Sequence, residues 1–264
     1  MERVISGVIA IPIVLGVILY GHPGLFFFLI ASIVLIATHE YFSMIANAGV
    51  SGFPVEGLVL SFLLLAIGFF IPQYLSLFGI FIPLTLFVVW CVREKNVRVA
   101  LDSISYTLFG ILYTAGLGGY FLLISNLEGG RQMIVFILLF VWAGDTAAFY
   151  VGRKLGERKL LEVVSPNKTI AGAVANVMGT LIAALLASSL FFNVIPLIHC
   201  LIVAFICGII GQFGDLAESL IKRNCQVKDS GTLIPGHGGV LDRIDSLLFV
   251  GPAFYCYYQV FLAA

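Results

Sequence analysis

The residues best suited to chemistry crowd near the C-terminus: Ser219, Lys222 and Arg223, then Lys228, Asp229 and Gly231, then Pro235, His237, Gly238 and Gly239, then Asp242, Arg243 and Asp245. Lysine and arginine neutralise anionic oxygens and donate strong hydrogen bonds. Carboxylates supply hard oxygen ligands for a cation, and glycines let backbone amides come close to an anion. These residue types together suit chemistry on a phosphate, with His237 a candidate contact to a phosphate or base. Neither standard phosphate loop is present, because the chain has no Walker A pattern and no GxGxxG.

Asp215, Ser219 and Lys222 stand at i, i+4 and i+7 and form one polar stripe on a helix. Glu218 falls at its edge. Gly208 and Gly211 lie upstream on about the same face, where they permit close approach of another helix or a ligand. Glu40, Asp145, Asp215, Glu218 and Asp245 all sit within or at the ends of apolar segments. An ionised side chain at the bilayer centre costs about 2.5–3.5 kcal/mol on insertion scales, so such groups face a water-filled cavity, a metal or a partner. Asp215, Asp242 and Asp245 are the candidate ligands of Mg2+, with a second cation left open; Mg2+ is typically held by one or two carboxylates plus substrate phosphates. The competing reading is internal salt bridging, for example Asp215 with Lys222.

Asp145, in Trp142-Ala143-Gly144-Asp145-Thr146, either completes this acidic site or orients a lysine; a plain helix-to-helix hydrogen bond is its alternative. Ser165-Pro166-Asn167-Lys168-Thr169 reads as a helix opening, where free amides, the positive dipole end and Lys168 make an anion site. His39-Glu40 ranks lower as a metal or proton site, since nothing near it in sequence supports one.

The elements that must position these groups are membrane helices. Of 264 residues, 61% are hydrophobic and 11% charged, against roughly 25% charged in soluble domains. Mean hydropathy is +1.10. A soluble chain of this length cannot hide so much apolar surface. The expected fold is all-α, a polytopic helical bundle of about nine spans, since roughly 20 apolar residues cross the hydrocarbon core. The spans are placed at 4–20, 24–46, 55–72, 75–92, 101–125, 132–152, 169–192, 196–221 and 245–263, the 55–92 pair being the weakest. The first is read as a retained helix rather than a cleaved signal.

With nine spans, every lysine and arginine except Arg131 falls on one face, which the positive-inside rule makes cytoplasmic, along with the N-terminus. Two long polar loops, 153–168 and 222–244, lie on that face. Residues 1–130 are assigned to packing, lipid space and a dimer surface, and 131–264 to the catalytic site, within one membrane domain. The five cysteines are scattered without a C-x-x-C pair and read as small buried hydrophobes. The formal net charge of zero singles out no partner by bulk charge.

The segment Ser219–Asp245 resembles the signature of the phosphatidate cytidylyltransferases, the CDP-diacylglycerol synthases: S-x-φ-K-R, four residues, K-D-x-small, then P-x-H-G-G-φ-x-D-R-φ-D. The match runs 27 residues without a gap. Asp215 upstream and Ser165-Pro166-x-Lys168-Thr169 also resemble family features. The chain departs from the family at Asn167, where a second lysine is common, and at Ala171, where an acidic or amide residue is common. Lys168 is left as the candidate at that position.

The resemblance implies that CTP and phosphatidate give CDP-diacylglycerol and pyrophosphate with Mg2+. It also implies a homodimer in the inner (cytoplasmic) membrane, with its site on the cytoplasmic side among membrane lipid; nucleic acid is not among the expected partners. Asp215, Asp242, Lys222, Lys168 and Asp145 are then the expected catalytic residues. Ser219, Arg223, Lys228, Asp229, His237, Gly238, Gly239 and Arg243 are expected to hold substrate, and Asp215, Asp242 and Asp245 the metal. The alternatives are a CTP-dependent lipid kinase or a cytidylyltransferase for another lipid phosphate. An ion-coupled transporter fits less well, because no repeat with matching broken helices is found.

Overall fold

The computed structural model describes residues 12–93, 97–233 and 238–263. The helices are residues 12–20 (α1), Pro23–Asn47 (α2), Pro54–Phe70 (α3), Leu75–Arg93 (α4), Ala100–Ile111 (α5), Tyr120–Ser125 (α6), Gly130–Leu155 (α7), Ile170–Leu190 (α8), Leu197–Asn224 (α9) and Leu241–Phe261 (α10). A π-helical turn, Leu112–Gly116, follows α5. Among the described residues six helical stretches are long and apolar enough to cross a membrane: Pro23–Asn47, Pro72–Arg93, Val97–Ser125, Gly130–Leu155, Ile170–Leu190 and Leu197–Asn224. α3 is apolar but only 17 residues long.

One segment departs from the all-helical expectation. The polar stretch after α7 forms an antiparallel hairpin of Lys159–Leu161 (β1) and Ser165–Thr169 (β2), with Lys159 opposite Thr169 and Leu161 opposite Ser165. Ser165-Pro166-Asn167-Lys168 is therefore strand, not the first turn of a helix. Proline disfavours the helical region for the residue before it, so Ser165 is extended. The helix start falls later, at Thr169, whose Oγ1 caps α8 by accepting from Gly172 N at 3.1 Å.

The chain divides into two compact units. The first is Met1–Asn126 with Lys222–Arg243, the second Leu127–Ile221 with Ile244–Ala264. The segment 222–243 groups with the N-terminal helices. In the first unit, the His22 ring caps α2 by accepting from Gly24 N at 3.2 Å, with Pro23 in the first turn. Lipid offers no hydrophobic drive between helices, so close packing and polar contacts join them. The Tyr41 ring lies against Gly110 and the Phe42 ring against Gly57. The buried Thr38 and Thr114 hydroxyls stand 2.7 Å apart.

The second unit is organised around α7 and α8, which meet through small residues. A Cβ on Gly179 would lie 2.8 Å from Ala147 Cβ, and one on Gly144 would lie 2.7 Å from Thr180 Cγ2. α9 adds three glycines on one side. Gly208 faces Thr180 of α8, Gly211 faces Val250 and Ser246 of α10, and Gly214 faces the Asp245 carbonyl. The close approach expected of Gly208 and Gly211 is to neighbouring helices.

Candidate functional site

The second unit carries an acidic centre built from four elements. Asp215 and Glu218 come from α9, Asp245 from α10, Asp145 from α7 and Lys168 from β2. One carboxylate oxygen each of Asp215, Glu218 and Asp245 lies within 4.8 Å of the others. Gly214 makes this convergence possible: a Cβ there would stand 2.5 Å from the Asp245 carbonyl oxygen and 3.1 Å from Ser246 Cα, so α9 and α10 touch at the level of the acids. Lys168 Nζ pairs with Asp215 Oδ2 at 2.7 Å. Asp145 Oδ1 accepts from Asn176 Nδ2 of α8 at 3.1 Å, and Asp245 Oδ1 accepts from Ser246 N at 2.6 Å. The i, i+3 spacing of Asp215 and Glu218 puts both on one helix face. Glu218, read from sequence as the edge of the stripe, is a buried member of the cluster.

Two carboxylates at the 4.8 Å outer limit of this set repel by about 3.5 kcal/mol at an effective dielectric of 20. Three of them make three such pairs, which the Lys168 ammonium offsets only in part. All-oxygen donors of this charge fit a hard divalent cation and do not suit a soft one.

Asp242, also expected to hold the metal, is engaged by side-chain and backbone donors. Its Oδ1 accepts from Lys222 Nζ at 2.6 Å, and its Oδ2 accepts from Ser230 N and Ser230 Oγ at 3.0 Å each and from Gly239 N at 2.7 Å. Both oxygens are engaged by groups of the first unit. Asp242 and Asp245 lie one turn apart on α10 yet belong to different units. The pairing weighed from sequence, Asp215 with Lys222, is replaced by Asp215 with Lys168 and Lys222 with Asp242.

Around Asp242 the loop is shaped by a residue that sequence reasoning ranked low. Glu40, buried on α2, accepts from Val240 N at 2.9 Å, Leu241 N at 2.8 Å and Ser230 Oγ at 3.0 Å. Gly238 has φ +83°, a conformation that favours glycine, and its Cβ would stand 2.6 Å from Asp242 Oδ2. The Gly239 amide, expected to approach a phosphate, is directed at Asp242. The separation of 190 positions between Glu40 and Ser230 explains why no local pattern pointed to this contact. The available signal was a carboxylate in an apolar helix.

Of the remaining expected residues, Ser219 is half-buried on α9, while Arg223, Lys228, Asp229 and Arg243 are exposed. Pro235, Gly236 and His237 lie outside the described residues. Beside the loop, in the first unit, a cavity of about 910 Å³ is lined by apolar residues of α2 and α3, including Leu35, Leu58 and Phe62, and by Glu40, Ser230 and Thr232 at its polar edge.

The family model described as "Cytidylyltransferase family" matches residues 1–261. The phosphatidate cytidylyltransferase of Bacillus subtilis (strain 168) is 34% identical over 263 residues, covering 96% of each chain. The enzyme of that name from Staphylococcus aureus (strain COL) is 35% identical over 263 residues, 95% of each. One from Staphylococcus saprophyticus is 42% identical over 163 residues, 62% of each. On this near-complete correspondence, together with the phosphate-suited residues gathered in both units, the chain belongs to the cytidylyltransferase family.

Proposed function

We propose that the protein transfers the cytidylyl group of CTP to phosphatidate, forming CDP-diacylglycerol and pyrophosphate for phospholipid synthesis. The observation that carries this reading is the near full-length similarity to proteins named phosphatidate cytidylyltransferase, at 34% identity over 96% of the chain. The chemistry of the acidic centre agrees with it.

In the transfer, an oxygen of the phosphatidate phosphate bonds to the α-phosphorus of CTP, and the bond from that phosphorus to the bridging oxygen of the β-phosphate breaks. The attacking phosphate is already an anion near neutral pH, so no strong base is needed. The obstacle is bringing polyanions together, and catalysis then rests on positioning and charge neutralisation. Lys168, held at the acidic centre by Asp215, supplies positive charge there. Exposed Arg223, Lys228 and Arg243 neutralise phosphate oxygens as the substrates arrive. Ser219 and Asp229 are assigned to substrate binding, as is His237. Asp145, oriented by Asn176, adds a further carboxylate to the acidic centre.

Mg2+ would be held by Asp215, Glu218 and Asp245, whose oxygens match its preference. Bound there, it supplies positive charge against the phosphates. Asp242, with Lys222 on one oxygen, is kept as a proposed metal ligand and Lys222 as a proposed catalytic residue, and a second cation is kept as part of the proposal.

The protein is proposed to span the inner membrane about nine times, with its N-terminus and active site on the cytoplasmic side where CTP resides. The positive-inside distribution of its bases supports that orientation. A homodimer is the proposed assembly.

The test is purified protein in detergent with CTP, phosphatidate and Mg2+. CDP-diacylglycerol and pyrophosphate are expected in equal amounts, and Asp215→Asn should nearly abolish both while leaving the fold intact. Release of CDP in place of pyrophosphate would make the protein a lipid kinase and overturn the reading, as would full activity in Asp215→Asn.

A further inference from the structure

The carboxylate of Glu40 is the one acidic group of the first unit's apolar α2 helix, and the proposed transfer does not use it. It faces only donors in the contacts it makes: the Val240 amide on Oε1, and the Leu241 amide and the Ser230 hydroxyl on Oε2. An acceptor-only carboxylate is the side chain these donors require.

The glycines of the signature acquire a reason from it. A Cβ on Gly231 would stand 2.6 Å from Glu40 Oε1, and one on Gly239 would stand 2.5 Å from Glu40 Oε2. A side chain at either position would collide with the Glu40 carboxylate, and at Gly239 also with the Ser230 hydroxyl. Ser230 ties Glu40 to Asp242, because its Oγ lies 3.0 Å from a carboxylate oxygen of each and its single hydrogen is shared between them. Asp242 in turn holds the Ser230 and Gly239 amides and the Lys222 ammonium. Glu40 and Asp242 thus both hold Ser230 and the 239–241 backbone, and Ser230 and Thr232 line the 910 Å³ cavity together with Glu40.

We propose that Glu40 is a positioning residue for cytidylyl transfer: its carboxylate sets Ser230 and the 239–241 backbone in place and, through Ser230, fixes Asp242 and Lys222. This rests on the transferase reading for its kinetic half and on the loop geometry alone for its structural half.

Glu40→Gln keeps size and shape but turns an NH2 toward backbone N–H donors, and Glu40→Ala removes all three acceptors. Both are made in the full-length protein in detergent and compared by backbone hydrogen–deuterium exchange and steady-state kinetics. Peptides covering 238–243 should exchange about tenfold faster or more, as expected when a charge-assisted hydrogen bond is lost. Peptides from α7 and α8 should exchange as in the parent. The turnover number should fall about 100-fold, the cost of misplacing a positioned group by about 1 Å. Ser230→Ala in the Glu40→Gln background should add little, since the two act as a unit.

Unchanged exchange at 238–243 in Glu40→Gln would overturn the proposal, as would a turnover number within twofold of the parent. Uniformly faster exchange in every peptide would reduce Glu40 to a residue needed only for folding, and also overturn it. A parent protein without transferase activity overturns the functional reading and the kinetic half together, and the exchange result then decides the loop assignment alone.

Discussion

Replacing Asp245 with asparagine separates what the acidic centre does for function from what it does for stability. With all three acids ionised, Asp245 faces two carboxylates within 4.8 Å. Each pair repels by about 3.5 kcal/mol at an effective dielectric of 20 and by about 0.9 kcal/mol at the value of water. The Asp215 side chain is 38% exposed, so the true values fall between these limits. The opposing loss is attraction to Lys168, whose ammonium is nearest Asp215. The hydrogen bond from Ser246 N to Oδ1 survives in asparagine, weakened to a neutral one at about 1 kcal/mol.

The balance is a net stabilisation of about 1–3 kcal/mol for Asp245→Asn without divalent ions. Thermal unfolding in detergent with a chelator should therefore show an equal or higher midpoint in the variant. Adding Mg2+ at 100 times its dissociation constant should stabilise the parent by about 2.7 kcal/mol, and the variant should lose most of that gain along with its activity. The reasoning fails if Asp245→Asn melts well below the parent in chelator and still shows the full Mg2+ response.

Two other substitutions test the packing. Lys222→Met removes the cation 2.6 Å from Asp242, whose side chain is 6% exposed, and should cost about 3–5 kcal/mol; Lys222→Met with Asp242→Asn should recover a large part, measured as a double-mutant cycle on thermal unfolding. Gly110→Ala drives a Cβ into the Tyr41 ring and should destabilise by about 1–3 kcal/mol, whereas Gly79→Ala, with nothing within 4 Å of the new atom, should stabilise by about 0.5–1 kcal/mol through helix propensity.

The helical character was legible because it depends on composition summed over long windows, and α7 and α9 fall close to the expected limits for that reason. The hairpin was not legible. Ser165-Pro166 carries both a helix-opening and an extended preference, and only pairing with Lys159–Leu161 decides between them. Glu218 was seen as an acid near the stripe, but its place beside Asp245 depends on α10 approaching α9 at Gly214. Glu40 shows the same limit: its partners Ser230, Val240 and Leu241 have no fixed spacing from it along the chain.

The sequence by itself determined that the chain is a bundle of apolar helices, that residues suited to phosphate chemistry concentrate in 215–245, and which family it resembles. Those properties reside in composition and in contiguous motifs, which need no folding to be read. Tertiary structure alone decided which acid meets which base. It set Lys168 on Asp215 and Lys222 on Asp242, and it used the signature glycines to seat carboxylates of the chain itself. The reason is physical: an ion pair or an amide clamp is fixed by distances of about 3 Å, and helices far apart in sequence reach such distances only after they pack.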